Sequence, residues 1–120
     1  MVKYQARVTE IGPLVSEFLE AGILVFFGAD APEELREFSI IHDGKILVEP
    51  VSSGDFFCLD DEKFKILALG DVANTNLSAL GHFIIKFNGS DEVEMPGDIC
   101  SEIGKLPEIR VGMQLEISCG

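Results

Sequence analysis

Two histidines carry most of the chemistry open to this chain, and each stands where an apolar run meets a glycine. His42 ends the run Phe38-Ser39-Ile40-Ile41-His42-Asp43-Gly44, and His82 directly follows Gly81. A neutral imidazole can attack phosphorus or a carbonyl, and its ordinary pKa keeps a good neutral fraction near neutral pH. To do so it needs one ring nitrogen free and the other held, so that the tautomer is fixed. A turn just after His42 could supply backbone N–H groups to an incoming phosphoryl group, and Gly44 lets that backbone approach closely. Asp43 cuts both ways, since a carboxylate can orient an imidazole but opposes a nearby phosphate. The plainer reading is a strand-end histidine that hydrogen-bonds its own turn, and the residues taken alone favour it. His82 could hold His42 or donate to a bound phosphate. Taken alone it is more simply a cap for the C-terminus of a preceding helix, where a cationic side chain is favoured.

Other chemistries find less support. The chain has no P-loop, GxGxxG, HExxH or GxSxG, and nothing points to a Ser-His-Asp triad. Zinc held by His42, His82 and a cysteine would lack the close ligand pairs such sites use, so no metal is expected. Cys58, Cys100 and Cys119 form no CxxC pair, which argues against a disulfide framework and suits a reducing cytoplasm. The net charge of −12 repels phosphate backbones and anionic lipid, so neither nucleic acid nor a membrane surface is an expected partner. That charge serves solubility first, and it would also steer a partner bearing a basic patch. No apolar run reaches the roughly 20 residues of a membrane helix, and the N-terminus has no secretory pattern.

The elements that must position the histidines follow from periodicity. Tyr4, Ala6 and Val8 share one face of a half-buried strand. Gly12-Pro13 opens a short helix with Leu14, Val15, Phe18 and Leu19 as its apolar stripe, closed by Gly22. Ile23 to Phe27 reads as a strand covered on both faces. Asp30 with Glu33 resembles a capping box before another short helix. In the His42 strand, Phe38, Ile40 and His42 share a face, and Asp43-Gly44 predicts a hairpin returning as a strand over Ile46 to Glu49. Phe56 to Leu59 and Lys63 to Leu69 form a hairpin around Asp60-Asp61-Glu62. Val72 to Leu80 has helical spacing with Gly81 as its C-cap, and a strand begins at His82. Asn88-Gly89 and Pro96-Gly97 are turns, and Ile109 to Cys119 alternates. The pattern predicts one domain over residues 1–120, mainly β, with two or three short helices. Short antiparallel strands closed, or nearly closed, into a compact barrel would leave neither edges nor an apolar face exposed.

One longer run is more specific. Leu69-Gly70-Asp71-Val72-Ala73-Asn74-Thr75-Asn76-Leu77-Ser78-Ala79-Leu80-Gly81-His82 resembles the G-x-V-A-x-x-N-L-x-x-L-G-H signature of the glucitol/sorbitol-specific IIA components of the bacterial phosphoenolpyruvate–sugar phosphotransferase system. Ile41-His42 resembles that family's F-I-H strand end. Tyr4-Gln5, Ile11-Gly12, Ala31-Pro32, Phe87-x-Gly89, Pro96-Gly97 and Gly112-x-x-Leu115 agree as well. Ile40 stands where the family pattern has an aromatic, and the turn after His42 is one residue shorter, which puts Asp43 beside the histidine.

The resemblance implies a small cytoplasmic phosphocarrier with a compact β-barrel fold, a phosphotransferase without cofactor that binds neither free sugar nor ATP. The residue matching His42 would accept a phosphoryl group from the carrier protein HPr and pass it to a cysteine of a IIB domain, for glucitol/sorbitol uptake. His82 would orient His42 or stabilise the phosphate. The sequence is also compatible with a homo-oligomer. Two other readings share the scaffold: a non-enzymatic regulatory or interaction module, and a small-ligand β-barrel with both histidines in its pocket.

Overall fold

In the computed structural model, which describes residues 1–119, eight strands close into one barrel in the order β1-β3-β2-β6-β7-β5-β4-β8. The strands are β1 (Val2–Ile11), β2 (Ile23–Gly28), β3 (Ile40–His42), β4 (Phe56–Leu59), β5 (Glu62–Leu69), β6 (Phe83–Lys86), β7 (Asp98–Ser101) and β8 (Gln114–Ser118). Three short helices accompany them: α1 (Val15–Glu20), α2 (Glu33–Arg36) and α3 (Ala73–Leu80). Alternation places Tyr4, Ala6 and Val8 of β1 inside with Leu115 and Ile117 of β8. Phenylalanines fill the centre: Phe26 stacks on Phe83 at 4.6 Å between ring centroids and meets Phe57 edge-on at 5.5 Å. Burial of this apolar interior is the main stabilising term, as it is for any such core.

The barrel is the expected one, with a correction to strand direction. The β2–β3 and β6–β7 pairs are parallel, and the remaining pairs are antiparallel. A parallel pair needs a crossover, which α2 supplies between β2 and β3 and the connection 87–97 between β6 and β7.

Other local expectations also give way. The strand over Ile46 to Glu49 does not form, and Ile46 and Val48 are 74% and 60% exposed. The reason is topological: β3 is paired with β1 on one edge and β2 on the other, so no edge remains for a returning hairpin strand. The segment 43–48 instead runs as a strap beside β1, held at one end by the Asp43 N–H donating to the Arg7 carbonyl and at the other by the Val48 N–H donating to the Lys3 carbonyl at 2.8 Å. The Asp30–Glu33 capping box is absent, since α2 starts after Pro32 with no side-chain cap. Arg36 organises that corner, donating to the Ala31 and Ala29 carbonyls and pairing with Glu10. Phe38 lies ahead of β3 and packs on Phe18 at 5.6 Å. Leu14 is exposed, and the alternating tail becomes a strand only from Gln114, with Val111 in solvent.

Candidate functional site

His42 is the last residue of β3, and its side chain points into the barrel end with no solvent exposure. The Tyr4 ring meets it edge-on at 5.8 Å, and Phe26 lies at 6.4 Å. Both ring nitrogens are engaged. The Gly44 N–H lies 3.0 Å from Nδ1, and Nε2 lies 2.7 Å from the Gly81 carbonyl. A backbone N–H only donates and a carbonyl only accepts, so Nδ1 carries the lone pair and Nε2 the proton. Two backbone groups thus fix the tautomer, but the free nitrogen expected of a nucleophile is not there, since the Gly44 N–H covers the Nδ1 lone pair. Burial pushes the His42 pKa below its ordinary value, opposed by the Gly81 hydrogen bond and the Asp43 charge. The imidazole is thereby held neutral.

The wall at Nε2 is glycine-built for a steric reason. Gly81 ends α3 in the left-handed region at φ 63°, with its N–H donating to the Leu77 carbonyl at 3.0 Å. A Cβ there would come within 2.8 Å of His42 Cε1 and 3.0 Å of the Gly28 nitrogen. Gly28 in turn leaves room for the Leu80 carbonyl. Beside His42 a cleft of about 540 Å³ opens between Gly28, Asp30, the strap at Lys45 and the end of α3 at Leu80.

Asp43 does not bond the imidazole. Its carboxylate accepts the Arg7 N–H at 2.7 Å, and its own N–H donates to the Arg7 carbonyl at 3.2 Å. This clips the start of the strap onto β1 and turns Gly44 toward Nδ1.

His82 stands on the other side of β2. Its Nδ1–H donates to the Phe26 carbonyl at 3.0 Å, and its ring stacks on Phe27 at 4.2 Å. Phe26 points into the barrel and Phe27 away from it, as successive strand residues must. His42 packs with the first and His82 with the second. Among the described residues no hydrogen bond joins the two histidines. Their link is the backbone, since the carbonyl holding Nε2 belongs to the residue before His82.

Sequence reasoning did not single out Tyr4 or the Gly81 carbonyl. Tyr4 is 1% exposed, yet its hydroxyl has no hydrogen-bond partner. The signal was available: it is the chain's single tyrosine, on the inward face of an alternating strand. Burial and the Asp43 charge push its pKa up to about 12. Among the described residues no group of three or more His, Cys, Asp or Glu is placed to hold a metal ion, and no helix is long and apolar enough to cross a membrane.

Known proteins resemble this chain in fold and in sequence. The crystal structure of a PTS system IIA component from Enterococcus faecalis V583 superposes with a TM-score of 0.82. The match covers 95% of this chain and 98% of that one at 22% identity, a likeness of fold. PTS system glucitol/sorbitol-specific EIIA components of Shigella flexneri and Escherichia coli (strain K12) are each 35% identical over 98 residues, 82% of this chain and 80% of theirs. Residues 3–116, nearly the whole barrel, match the family described as PTS system glucitol/sorbitol-specific IIA component, and the chain belongs to that family.

Proposed function

We propose that this protein is a cytoplasmic phosphocarrier of the sugar phosphotransferase system. His42 accepts a phosphoryl group from the phosphohistidine of HPr and passes it to a cysteine of a IIB domain, in the service of glucitol/sorbitol uptake. The observation that carries this reading is the neutral, tautomer-fixed imidazole of His42 beside a cleft, in a chain of this family. Phosphoryl transfer asks little more of a protein than an in-line nucleophile and donors for the equatorial oxygens. Among the described residues that line the cleft beside His42, Lys45 is the single lysine or arginine, which suits a carrier that must release its phosphate. Exposed Leu80 at the cleft and Ile46 and Val48 on the strap give a partner apolar surface to cover, so that water is excluded during transfer. The acidic net charge favours a partner with a basic docking face.

His82 acts in this reading as a positioning residue. It fixes the corner between α3 and β6 through the Phe26 carbonyl, and that corner carries the Gly81 carbonyl to Nε2 of His42.

The test is labelling with radioactive phosphoenolpyruvate in the presence of enzyme I and HPr. His42 takes the label, located by mass spectrometry, and His42→Ala takes none. Full labelling of His42→Ala overturns the assignment. His82→Asn still accepts label on His42, but more slowly. A wild-type rate in that variant would make His82 purely structural.

A further inference from the structure

We propose that Lys45 is the cation that meets the phosphoryl group carried by His42, swinging from the strap into the cleft when that group is present. The proposal rests on the phosphocarrier reading and adds the residue that answers the phosphate charge.

A phosphoryl group in transfer spreads negative charge over three oxygens, and stabilising that charge is most of what a protein does for the reaction. Here it arrives on a chain of net charge −12. The cleft of about 540 Å³ beside His42 has Asp30, Asp43 and Lys45 as its charged lining residues besides the histidine itself. The Asp43 carboxylate is engaged, accepting the Arg7 N–H at 2.7 Å, but it keeps a charge that opposes a phosphate. Without a cation, the cleft would repel the group it has to receive.

Lys45 is free to supply that cation. Ion pairs commit Lys3 to Asp55, Arg36 to Glu10 and Lys86 to Asp98, and Lys63 lies over the Phe56 ring at 4.2 Å. Lys45 is exposed, and among the described residues no ion pair holds it. It borders two spaces: the cleft beside His42, and a second of about 460 Å³ between the strap and the start of β1. The strap that carries it has no strand pairing, and backbone of that kind shifts at low cost. At rest the charge that faces His42 is that of Asp43. The ammonium of Lys45 is therefore not spent on the imidazole and remains available to the phosphate.

A lysine fits the task of a carrier. It meets phosphate as a point charge on a flexible stem, where an arginine grips two oxygens in a rigid fork. A cation drawn in by the phosphate lets it leave again.

The step balances. A lone pair of the His42 imidazole forms the new P–N bond while the P–N bond of the donor phosphohistidine breaks, its electron pair returning to the donor ring. Onward transfer breaks the bond to His42 as a thiolate attacks phosphorus. Lys45 exchanges neither electrons nor a proton in either step. It offsets charge on the phosphoryl oxygens.

The test is made on the full chain, phosphorylated by phosphoenolpyruvate, enzyme I and HPr. In Lys45→Gln the maximal rate of His42 phosphorylation at saturating phospho-HPr should fall about tenfold, as for a lost hydrogen bond to a charged group. The thermal midpoint should hold, since an exposed side chain without partners is removed. KM for HPr should hold or fall, because one positive charge fewer faces a basic partner. Lys45→Arg should recover most of the rate of acceptance. In ³¹P NMR spectra the phosphoryl group on His42 should titrate at higher pH in Lys45→Gln than in wild type, because the missing cation favoured its dianion. A wild-type maximal rate in Lys45→Gln overturns the proposal, and so does an unshifted ³¹P titration. A rise in KM at unchanged maximal rate also overturns it, by marking Lys45 as a docking contact. Wild-type protein that takes no label on His42 would instead sink the phosphocarrier reading.

Discussion

At the scale of the residue, His42 shows how burial sets chemistry. Its pKa is lowered from the ordinary 6.5, chiefly by desolvation, with Asp43 the charged group that faces it in opposition. In acid the unfolded chain therefore binds this proton more readily than the folded one, so stability rises with pH across the window. The contribution is absent above 6.5 and becomes a penalty as pH falls from there through the lowered folded value. Urea titrations should show wild-type stability declining below pH 6.5, before most carboxylates protonate at about pH 5. His42→Gln should flatten the upper part of that decline, and an unchanged slope would show that His42 does not cause it. That His42 was the place to look is legible in the sequence. The hydrogen bond from its own turn, at Gly44, is legible too, but the more distant supports are not: Gly81 is 39 residues away along the chain, and the Arg7 backbone that takes Asp43 is 36 from it. No local pattern encodes such partners.

At the scale of the element, local signals succeeded where both strands or both caps lay close in sequence. The β4–β5 hairpin and the α3 helix with its Gly81 cap are readable because their hydrogen bonds close over a few residues. The strap was misread as a strand because Asp43-Gly44 is sound hairpin chemistry. Only the closure of β3 by β1 and β2 forbids it. β7 was missed for a related reason: Asp98 and Ser101 look like loop residues, yet both are buried, with Asp98 paired to Lys86 Nζ at 2.9 Å. The α3 cap yields a prediction at this scale. Gly81→Ala must adopt a positive φ and push against His42 and Gly28, costing about 1–3 kcal/mol in equilibrium unfolding. Phosphoryl acceptance should fall further than that loss explains, because Nε2 loses its fixed acceptor. Wild-type stability in this variant would contradict the steric account.

At the scale of the whole molecule, one ion pair ties the barrel to its loops. Lys3 Nζ on β1 lies 2.8 Å from Asp55 Oδ2 and donates also to the Pro50 carbonyl, with both side chains nearly out of solvent. Removing one partner strands a buried charge, so Lys3→Met should cost about 3–5 kcal/mol. Lys3→Met with Asp55→Leu should recover part of that loss in the same urea titration, and equal losses would show that the pair is not coupled.

Closure of the barrel by β1 and β8 has a consequence for how the chain is made. Val2 pairs with Ser118 and Arg7 with Gln114, so the barrel's first strand in chain order is sealed by its eighth. At bacterial rates of synthesis that interval is on the order of ten seconds. Throughout it Tyr4, Ala6 and Val8 form an apolar strand with one edge unpaired, and β4 waits for the same partner. A nascent chain stopped short of Gln114 would thus display two sticky edges at once. The barrel that leaves no edge when finished is, until its last strand arrives, a natural client for a holding chaperone.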